Sequence, residues 1–544
     1  MAFLQKNKFF VCAVAATIVL TGMTFGNLPG PATQTGVQVV NGVVYNFADY
    51  PALNHEQLGI FNYLDHLVVD QSYGSWDGWY AENFHGLLHY ILAFLTYISS
   101  GMFETTPGYR TDYYREFAWG LLQRMNTSES EWNDTSIEYL EWNHPDYKYN
   151  QYWYPNAESP NVTVDVYTGG FRGPANIMWT GHYGLMEALY ERNFNTGETF
   201  NELTWFINDW NNSLTTDGRG NPQAGGIWKI GLIPCEPYIA FVNCNSIPMF
   251  ATYLYDDMYA TDFQHIWDYG LNFSNKVAQD EYGLFANGYY VQQPLGYQQP
   301  TQGAEQPFPG NAIDRQSGDG SPSVSGYIEA WALMFLEPIQ SNETIHDYPI
   351  FLDVYGRDIS GDRFCILGNY RHPETYGVTD MLANFYAMPL ANQRGDLVTG
   401  QRIRNFLYSN FNKIWSADGR RMWYDATSLI PFLQAPLSAA WLWGTTPKVI
   451  RDLFDARPTE FWDYPYISHA NDSSIWVYQA TWDSTKSAFI LNVGVDQTAT
   501  LSFSNFGHQP KAYAGGALYQ DLTLAISGEY ALTLTPGTYQ IVII

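Results

Sequence analysis

A change of hydrophobic period near residue 458 is the feature of this 544-residue sequence that most constrains its fold. From about residue 50 to 458, apolar residues recur at helical spacing, in runs that alternate with long loops rich in Gly, Pro and aromatic residues. Roughly a dozen helices in one unit favour a mainly α fold, an (α/α)6-type barrel or toroid built of helical hairpins around a central funnel. The candidate helices are 54–69, 82–100, 112–125, 175–193, 200–211, 246–259, 262–277, 325–336, 346–355, 379–390, 399–412, 437–443 and 447–454.

Beyond Pro458 the apolar residues alternate or are β-branched, and Gly, Asn and Pro separate the runs. This pattern predicts a helical domain over residues 31–458, followed by a small C-terminal all-β sandwich over residues 459–544. The sandwich either binds a carbohydrate or a partner, or covers one side of the barrel. The candidate strands are 474–478, 487–493, 498–503, 530–534 and 538–542.

The first 30 residues have the composition of an export signal. Lys6 and Lys8 precede an apolar run over residues 9–25, and Gly and Pro then interrupt it. We therefore expect an exported protein, either secreted, periplasmic or at the cell surface, with an uncleaved membrane tether through residues 9–25 as the alternative. Sequons that agree with glycosylation of an exported protein lie at Asn126, Asn133, Asn161, Asn211, Asn272, Asn342 and Asn471.

The net charge of −28 argues against nucleic-acid and anionic-membrane partners, because phosphate binding requires clustered Lys and Arg. The sequence contains neither a Gly-rich phosphate loop nor a dinucleotide fingerprint, and its cysteines lack the C-x2-C spacing of a zinc site. We therefore expect no cofactor and no metal. The aromatic content, 17% of residues, is typical both of hydrophobic-ligand pockets and of carbohydrate-processing enzymes, so it does not distinguish these classes.

Two of the four cysteines, Cys235 and Cys244, lie nine residues apart, with Glu236 directly after the first. This spacing is open both to thiol chemistry and to a disulfide between the two. Ser246 and Pro248 are typical of a helix start, so Cys244 is expected just ahead of a helix N-terminus, whose amide groups favour a thiolate. Cys235, in an apolar loop, is expected to be a neutral thiol. Such a pair can move protons on an uncharged substrate.

His182 lies in a predicted helix and shares its apolar face with Met178, Leu185 and Met186. The imidazole is therefore expected to point towards the core, where a single histidine is more often a hydrogen-bonded packing residue than a catalytic one. Cys365, within another apolar segment, is most simply a buried structural thiol.

These segments carry a family resemblance. The C-E-P…F-V-x-C-N-S block that begins at Cys235 is the specific match, and the M-x-x-G-H-x-x-L-M helix of His182 precedes it. The matched segments extend from about Asn62 to Trp331 and lie in the same order as in the linalool dehydratase/isomerase family, which the chain therefore resembles. The weaker matches are Tyr255-Asp256, Asn62-Tyr63-Leu64-Asp65, Tyr90-Ile91-Leu92-Ala93-Phe94 and Gly326-Tyr327-Ile328-Glu329-Ala330-Trp331.

The resemblance implies an α/α-barrel enzyme that dehydrates or isomerises an allylic, terpene-type alcohol without a cofactor, and whose members can form homo-oligomers. In the family, carboxylate, tyrosine, histidine and cysteine side chains surround the small hydrophobic alcohol. Carried over to this sequence, the catalytic residues are Asp65, Tyr73, Tyr90, His182, Cys235, Glu236 and Cys244, with Asp77 competing for the acid role. The residues that match the apolar substrate lining are Met178, Phe241, Tyr327 and Trp331.

The chemistry explains why these residue types belong together. Loss of the hydroxyl group needs a proton on its oxygen, and the cationic carbon that results needs electron-rich walls that do not attack it. We expect Cys235, or Asp65 acting through Tyr73, to protonate the hydroxyl, while Cys244 removes a neighbouring C–H proton. The opposite assignment of the two thiols fits almost as well.

Two other classes of function remain open. An exported (α/α)-toroid glycoside hydrolase or polysaccharide lyase would use two carboxylates at a fixed separation together with aromatic platforms. The carboxylates available for this reaction are Asp77, Asp314, Asp319 and Glu329, none of them singled out by its spacing. A non-catalytic module that binds a lipid or a glycan is the third reading, especially if the two thiols are cross-linked.

Overall fold

The computed structural model describes residues 36–72, 75, 78–79, 88–125, 177–217, 220–235, 239–279, 282–286, 288–290, 313–314, 326–368, 378–409, 411–425, 434–455, 457–525 and 528–544. The predicted signal or anchor, residues 1–30, lies outside this part of the chain, as do Tyr73 and Glu236. Within the described ranges, no helix has both the length and the apolar character that a membrane crossing requires.

Twelve α-helices occur in the described part of the chain, and every candidate helix except the last overlaps one of them. Segment 447–454 forms a 3-10 helix at Ile450–Phe454 instead, because the Asp452 carboxylate accepts from the Val449 N–H (2.8 Å) and closes a short turn. The helices are α1 His55–Val68, α2 Leu88–Thr105, α3 Asp112–Met125, α4 Ile177–Phe194, α5 Phe200–Thr215, α6 Val242–Tyr259, α7 Asp268–Lys276, α8 Gly326–Leu336, α9 Ser341–Tyr355, α10 Val378–Gln393, α11 Leu397–Tyr408 and α12 Gln434–Thr445.

The even-numbered helices contact one another in chain order, from α2 through α4, α6, α8 and α10 to α12, and α12 in turn contacts α2. Odd-numbered helices pack outside them as hairpin partners, for example α3 on α2 and α11 on α10. Burial follows this order: every residue of α4 from 177 to 193 is buried, whereas α11 buries only Ile403 and Leu407. A helix that is buried on all sides has no polar face, and the charged residues of α4, Glu187, Glu191 and Arg192, are buried with the rest.

Buried amide side chains attach the preceding segment to two of the even-numbered helices. On α6, the Asn245 side chain accepts a hydrogen bond from the Ile233 N–H (2.8 Å) and donates one to the Ile233 carbonyl (2.9 Å). On α10, Asn384 makes the same pair of bonds to Ile366, at 2.8 and 2.7 Å. Since a buried backbone group without a partner is costly, each amide fixes the chain that leads into its helix.

Two further even-numbered helices use other polar groups in the same way. On α8, Glu329 accepts a hydrogen bond from the Phe285 N–H at 2.8 Å. On α12, the Ser438 hydroxyl accepts one from the Tyr424 N–H at 3.2 Å. All four side chains lie within the first two turns of their helices. The segments that precede these helices are therefore held at the N-terminal ends of the inner helices.

Two antiparallel sheets follow the helices, which confirms the predicted β structure after Pro458. Their strand orders are β10-β13-β17-β16 and β11-β12-β18-β14-β15, and two-stranded or three-stranded sheets form from the other strands. The strands are β1 Val37–Val40, β2 Val43–Asn46, β3 Ile239–Ala240, β4 Gly288–Tyr290, β5 Ile313–Asp314, β6 Gly356–Ser360, β7 Arg363–Ile366, β8 Asn412–Trp415, β9 Met422–Asp425, β10 Tyr466–His469, β11 Ile475–Asp483, β12 Ala488–Val495, β13 Ala499–Ser504, β14 Lys511–Ala514, β15 Ala517–Asp521, β16 Thr523–Leu524, β17 Tyr530–Leu534 and β18 Gly537–Ile543.

The helical and β parts are joined by backbone hydrogen bonds. Between α2 and α3, the Gly108 N–H donates to the Ala480 carbonyl, and the Gly108 carbonyl accepts from the Ile467 N–H, both at 2.8 Å. The β1–β2 hairpin, which precedes all the helices, also packs on the C-terminal strands. The proposed boundary at residue 458 stays a prediction. The small apolar cluster between hairpin and sheet comprises Val40, Tyr45, Phe47, Ala488, Ile490 and Val542.

Candidate active site

A cluster of aromatic rings surrounds His182 on α4. The imidazole is fully buried, and four ring centroids lie near its own: Tyr90 and Trp331 at 5.3 Å, Phe94 at 5.7 Å and Tyr97 at 6.0 Å. Tyr90 and Phe94 are only partly buried, so the cluster retains accessible surface. We call the rings of Tyr90, Phe94, Tyr97, Trp331 and Tyr386 the aromatic cluster. His182 therefore points into the core, as the sequence predicts, and not to solvent.

Tyr97 is the hydrogen-bond partner of His182, with 2.6 Å between its hydroxyl oxygen and Nδ1. Burial raises the pKa of Tyr97 well above its ordinary value, so the phenol stays protonated. A bond at Nδ1 fixes the orientation of the ring and directs Nε2 to the opposite side. Tyr97 is not among the site residues that the sequence predicts, although Tyr90, Phe94 and Tyr97 lie at the i, i+4, i+7 spacing of one helix face.

Tyr386 on α10 extends the cluster towards the thiols. Its ring stacks on Trp331 at a centroid distance of 5.3 Å and an interplanar angle of 19°, and meets Phe94 edge-on at 5.3 Å. Burial raises the pKa of Tyr386 well above its ordinary value, and Tyr327 and Cys244 add to the effect. Cys244 is therefore close enough to act electrostatically on a ring of the aromatic cluster. Sequence reasoning missed Tyr386, which lies outside the matched segments.

Cys244 is the third residue of α6, whereas the sequence predicts it just ahead of the helix. The prediction of a start at residue 246 is wrong, because the Asn245 N–H already donates to the Phe241 carbonyl (3.2 Å) and closes the first turn. Pro248 lies inside the helix, and without an N–H it cannot bind the Cys244 carbonyl four residues earlier. This part of α6 approaches α4 closely: a Cβ on Gly181 would lie 2.9 Å from Pro248 Cδ.

Cys235 is buried at the end of the segment that Asn245 holds. The preceding carbonyl, that of Pro234, accepts a hydrogen bond from the N–H of Ile177, the first residue of α4, at 3.3 Å. Cys235 thus lies where α4 and α6 begin. Neither it nor Cys244 forms a disulfide in the described part of the chain. Asn245, which sequence reasoning did not select, is the residue that positions this segment.

Cys365 fits the structural role predicted for it. It is fully buried, and its sulfur accepts a hydrogen bond from the Asn384 side chain at 3.5 Å. The Tyr255-Asp256 match is structural as well. The Tyr255 hydroxyl lies 3.0 Å from that of Thr204 on α5, and Asp256 accepts bonds from the loop that follows α6.

Asp65 lies apart from this group. It is on the outer helix α1, where burial, with Asp70, Asp472 and Glu116 contributing, raises its pKa to about 8. Within the described ranges, no hydrogen bond, ring contact or electrostatic interaction joins Asp65 to His182. The structure therefore does not bring the predicted acid together with the aromatic cluster.

A polar group near Asp65 connects the helices to the sheets. Tyr109 donates a hydrogen bond to Asp472, just before β11, and burial raises the pKa of Asp472 to about 7. The cavity beside Asp472 and Tyr113 has room for about one water molecule. It is too small for an organic substrate.

The predicted lining residues take different positions. Met178 is buried in the first turn of α4, whereas Phe241, the N-cap of α6, and Tyr327, the second residue of α8, are partly buried. Tyr327 and Trp331 lie one turn apart on α8, and both act on Tyr386. The predicted residues Tyr73 and Glu236 lie outside the described residues, as does Asp77.

The chemical character of the site follows from these groups. It combines aromatic faces, a histidine held by a phenol, and a thiol, and these side chains come from the N-terminal halves of α2, α4, α6 and α8 and from the middle of α10. Where the structure describes the chain, no set of three or more His, Cys, Asp or Glu side chains is arranged to bind a metal ion. Such an arrangement can donate and accept protons next to an apolar substrate.

No protein-family model matches the chain. Among solved structures, it is similar to a glycoside hydrolase from family 105 of C. acetobutylicum ATCC 824, with 9% identity over 73% of this chain and 100% of that chain, at a TM-score of 0.42. It is also similar to a GH127 β-L-arabinofuranosidase from Geobacillus stearothermophilus T6, with 9% identity over 90% of this chain and 78% of that chain, at a TM-score of 0.34. Both TM-scores are low, so neither likeness carries an argument about this chain.

Proposed function

We propose that this protein is a cofactor-independent hydro-lyase or isomerase of allylic, terpene-type alcohols. Thiol and imidazole groups perform the acid–base steps in an apolar chamber within an (α/α)6-type barrel. The barrel is supported by the contacts among the even-numbered helices: each contacts the next along the chain, and the last, α12, contacts the first, α2. The observation that carries the proposed activity is the convergence of His182 and Cys244 on one aromatic cluster.

The aromatic faces suit the charge that this reaction develops. When the hydroxyl leaves as water, the carbon that held it becomes electron-poor, and the faces of Phe94, Trp331 and Tyr386 attract positive charge without forming a bond to it. A cation over an aromatic face gains roughly 0.5–2 kcal/mol, depending on desolvation. Several rings together can therefore lower the barrier to the loss of water by a useful amount.

The proton donor and acceptor are assigned from their positions. Cys244 is close enough to Tyr386 to act on it electrostatically, so we assign this thiol to removal of the C–H proton. Cys235, where α4 and α6 begin, protonates the departing oxygen. His182, held by Tyr97, sets the protonation of the thiols. Asp65 has no role in this mechanism, because it lies in a different group.

A glycoside hydrolase or polysaccharide lyase is the alternative. The two solved structures named above are glycoside hydrolases, although their low TM-scores carry no argument. Such an enzyme needs two carboxylates that flank the bond. Among the described residues, Glu329 is the carboxylate on the same inner helix as Trp331, and it accepts a hydrogen bond from the Phe285 backbone. Asp77 and Asp319 lie outside the described residues.

The decisive experiment incubates the reduced, full-length chain with tertiary allylic alcohols such as linalool and measures dienes in the headspace. We expect diene or isomerised alcohol from the wild-type chain and a loss of at least about 100-fold in kcat for Cys244→Ala. Cys365→Ala is the matched control, since it removes a buried thiol far along the chain and should retain activity.

Two results would reject the proposed function. The first is the absence of product from every alcohol together with release of reducing sugar from a glycan, which would establish the hydrolase. The second is full activity in both Cys235→Ala and Cys244→Ala, which would exclude thiol chemistry whatever the reaction. Binding of a lipid or a glycan without any turnover would support the third reading, a binding module.

A further inference from the structure

Trp331 carries a hydrogen-bond donor that the described part of the chain leaves without an acceptor. The side chain is 3% exposed, and its Nε1–H has no partner among the described residues. Burying an N–H without an acceptor is unfavourable, and such groups in native proteins are usually explained by a bound molecule or water. The indole also lies next to the imidazole of His182, at the centre of the aromatic cluster.

Tyr386, whose ring stacks on Trp331, supplies a second donor. Its ring stacks on Trp331 with 19° between the planes, and the residue is 5% exposed. Within the described ranges, its hydroxyl makes no hydrogen bond, whereas the hydroxyl of Tyr97 binds His182 at 2.6 Å. A buried phenol that stays protonated is a donor, so the stack presents two donors among rings that are otherwise apolar.

We propose that the Tyr386 hydroxyl and the Trp331 Nε1–H together bind the oxygen of the substrate alcohol. This inference rests on the proposed function and adds to it a specificity device. A hydroxyl oxygen has two lone pairs and can accept from both donors when the alcohol binds. One of these two bonds is released when Cys235 protonates the oxygen. The remaining surface of the cluster, including Phe94, would hold the hydrocarbon part of the same molecule.

The arrangement explains discrimination between substrate and product. After dehydration, the hydrocarbon has no oxygen, and both donors lose their acceptor in a buried site. A site built to bind a hydroxyl group rejects an analogue that lacks it, because the polar groups of the site are left unpaired. The product is therefore bound more weakly than the alcohol and leaves the chamber.

The test is a pair of binding titrations by calorimetry on the full chain, with linalool and with myrcene, its dehydrated hydrocarbon. We expect the wild type to prefer linalool by about 10-fold or more, from two hydrogen bonds that each contribute roughly 2- to 10-fold. Tyr386→Phe should weaken linalool binding by about 5-fold and leave myrcene binding unchanged. Trp331→Phe should likewise lower the ratio of the two affinities. Tyr114→Phe, a buried phenol on α3 outside the cluster, is the matched control and should keep the preference.

The outcomes separate this inference from the proposed function. A wild type that prefers the alcohol, loses the preference in Tyr386→Phe and yet forms no product supports the binding role and rejects the dehydratase. A wild type that forms product while Tyr386→Phe keeps the full preference rejects the inference alone. Equal weakening for both probes would indicate a merely structural tyrosine and overturn the inference, as would a wild type that binds neither probe.

Discussion

A close approach between α4 and α6, at Gly181 and Pro248, allows a quantitative prediction. Replacing Gly181 by Ala places a Cβ 2.9 Å from Pro248 Cδ and 3.4 Å from its Cγ. The proline ring is rigid, so the helices themselves must separate by some tenths of an ångström. Overpacking of this kind costs roughly 1–3 kcal/mol. The helix propensity of Ala recovers about 1 kcal/mol, so we expect a net destabilisation of about 1 kcal/mol.

Gly184→Ala is the matched control on the same helix. There a Cβ would lie 2.7 Å from Cη2 of Trp210, on the outer helix α5, so the stress does not fall between α4 and α6. Urea unfolding should show a similar loss of stability for both variants. Turnover per folded molecule should fall only in Gly181→Ala, because only that change separates His182 from the helix of Cys244.

Two results would refute this reasoning. If Gly181→Ala unfolds at the same urea concentration as the wild type, the approach at Pro248 is not tight. If Gly184→Ala lowers turnover as much as Gly181→Ala does, the separation of α4 from α6 is not what limits the reaction.

Three further predictions concern pH, the amide clamp and the histidine. Burial raises the pKa of Asp65 to about 8 and that of Asp472 to about 7, above the ordinary value near 4, so the folded chain holds these protons more tightly than the unfolded chain does. The free energy of unfolding should therefore fall as pH rises from about 4 towards 8, and denaturation curves of Asp65→Asn should show a smaller fall; an unchanged slope would contradict this. Asn245→Ala leaves two buried backbone groups unpaired and should lower the free energy of unfolding by about 2–4 kcal/mol in urea titrations, whereas a loss below about 1 kcal/mol would show that the clamp is weak. Tyr97→Phe removes the bond to His182 and should lower kcat by about 10-fold and displace the pH–rate profile, with little change in KM; an identical profile would mean that the bond is only structural.

The sequence predicts where the helices lie, because apolar residues recur at helical spacing in runs bounded by loops rich in Gly and Pro. It does not predict which helices are inner. On α4 nearly every residue is buried, the charged ones included, so the spacing of its apolar residues does not show which face packs inward. On α11, by contrast, only Ile403 and Leu407 are buried, so its single apolar stripe shows the face that packs. The order of inner and outer helices emerges only from tertiary contacts.

The errors at the candidate site have identifiable causes. Ser246 and Pro248 predict a helix start at residue 246, because Ser and Pro are common in a first turn, but the first turn of α6 closes earlier, through the backbone of Asn245. That residue also binds the chain before Cys235, a contact between distant segments that local propensity does not report. The resemblance in sequence predicts Asp65 at the site, yet its helix, α1, packs on the outside. The spacing of Tyr90, Phe94 and Tyr97 on one face of α2 is the signal in the sequence that points to Tyr97.

The position of the aromatic cluster bears on which alcohol the chamber suits. His182, Cys244 and Trp331 lie within the first two turns of α4, α6 and α8, where the aligned peptide dipoles place partial positive charge. Partial positive charge opposes a localised cation nearby, so the aromatic faces must compensate for it. An allylic cation spreads its charge over several carbons and can lie across more than one face, whereas a saturated tertiary cation concentrates the charge at one carbon. In the proposed reaction, this position at the N-terminal ends of the inner helices therefore favours allylic over saturated alcohols.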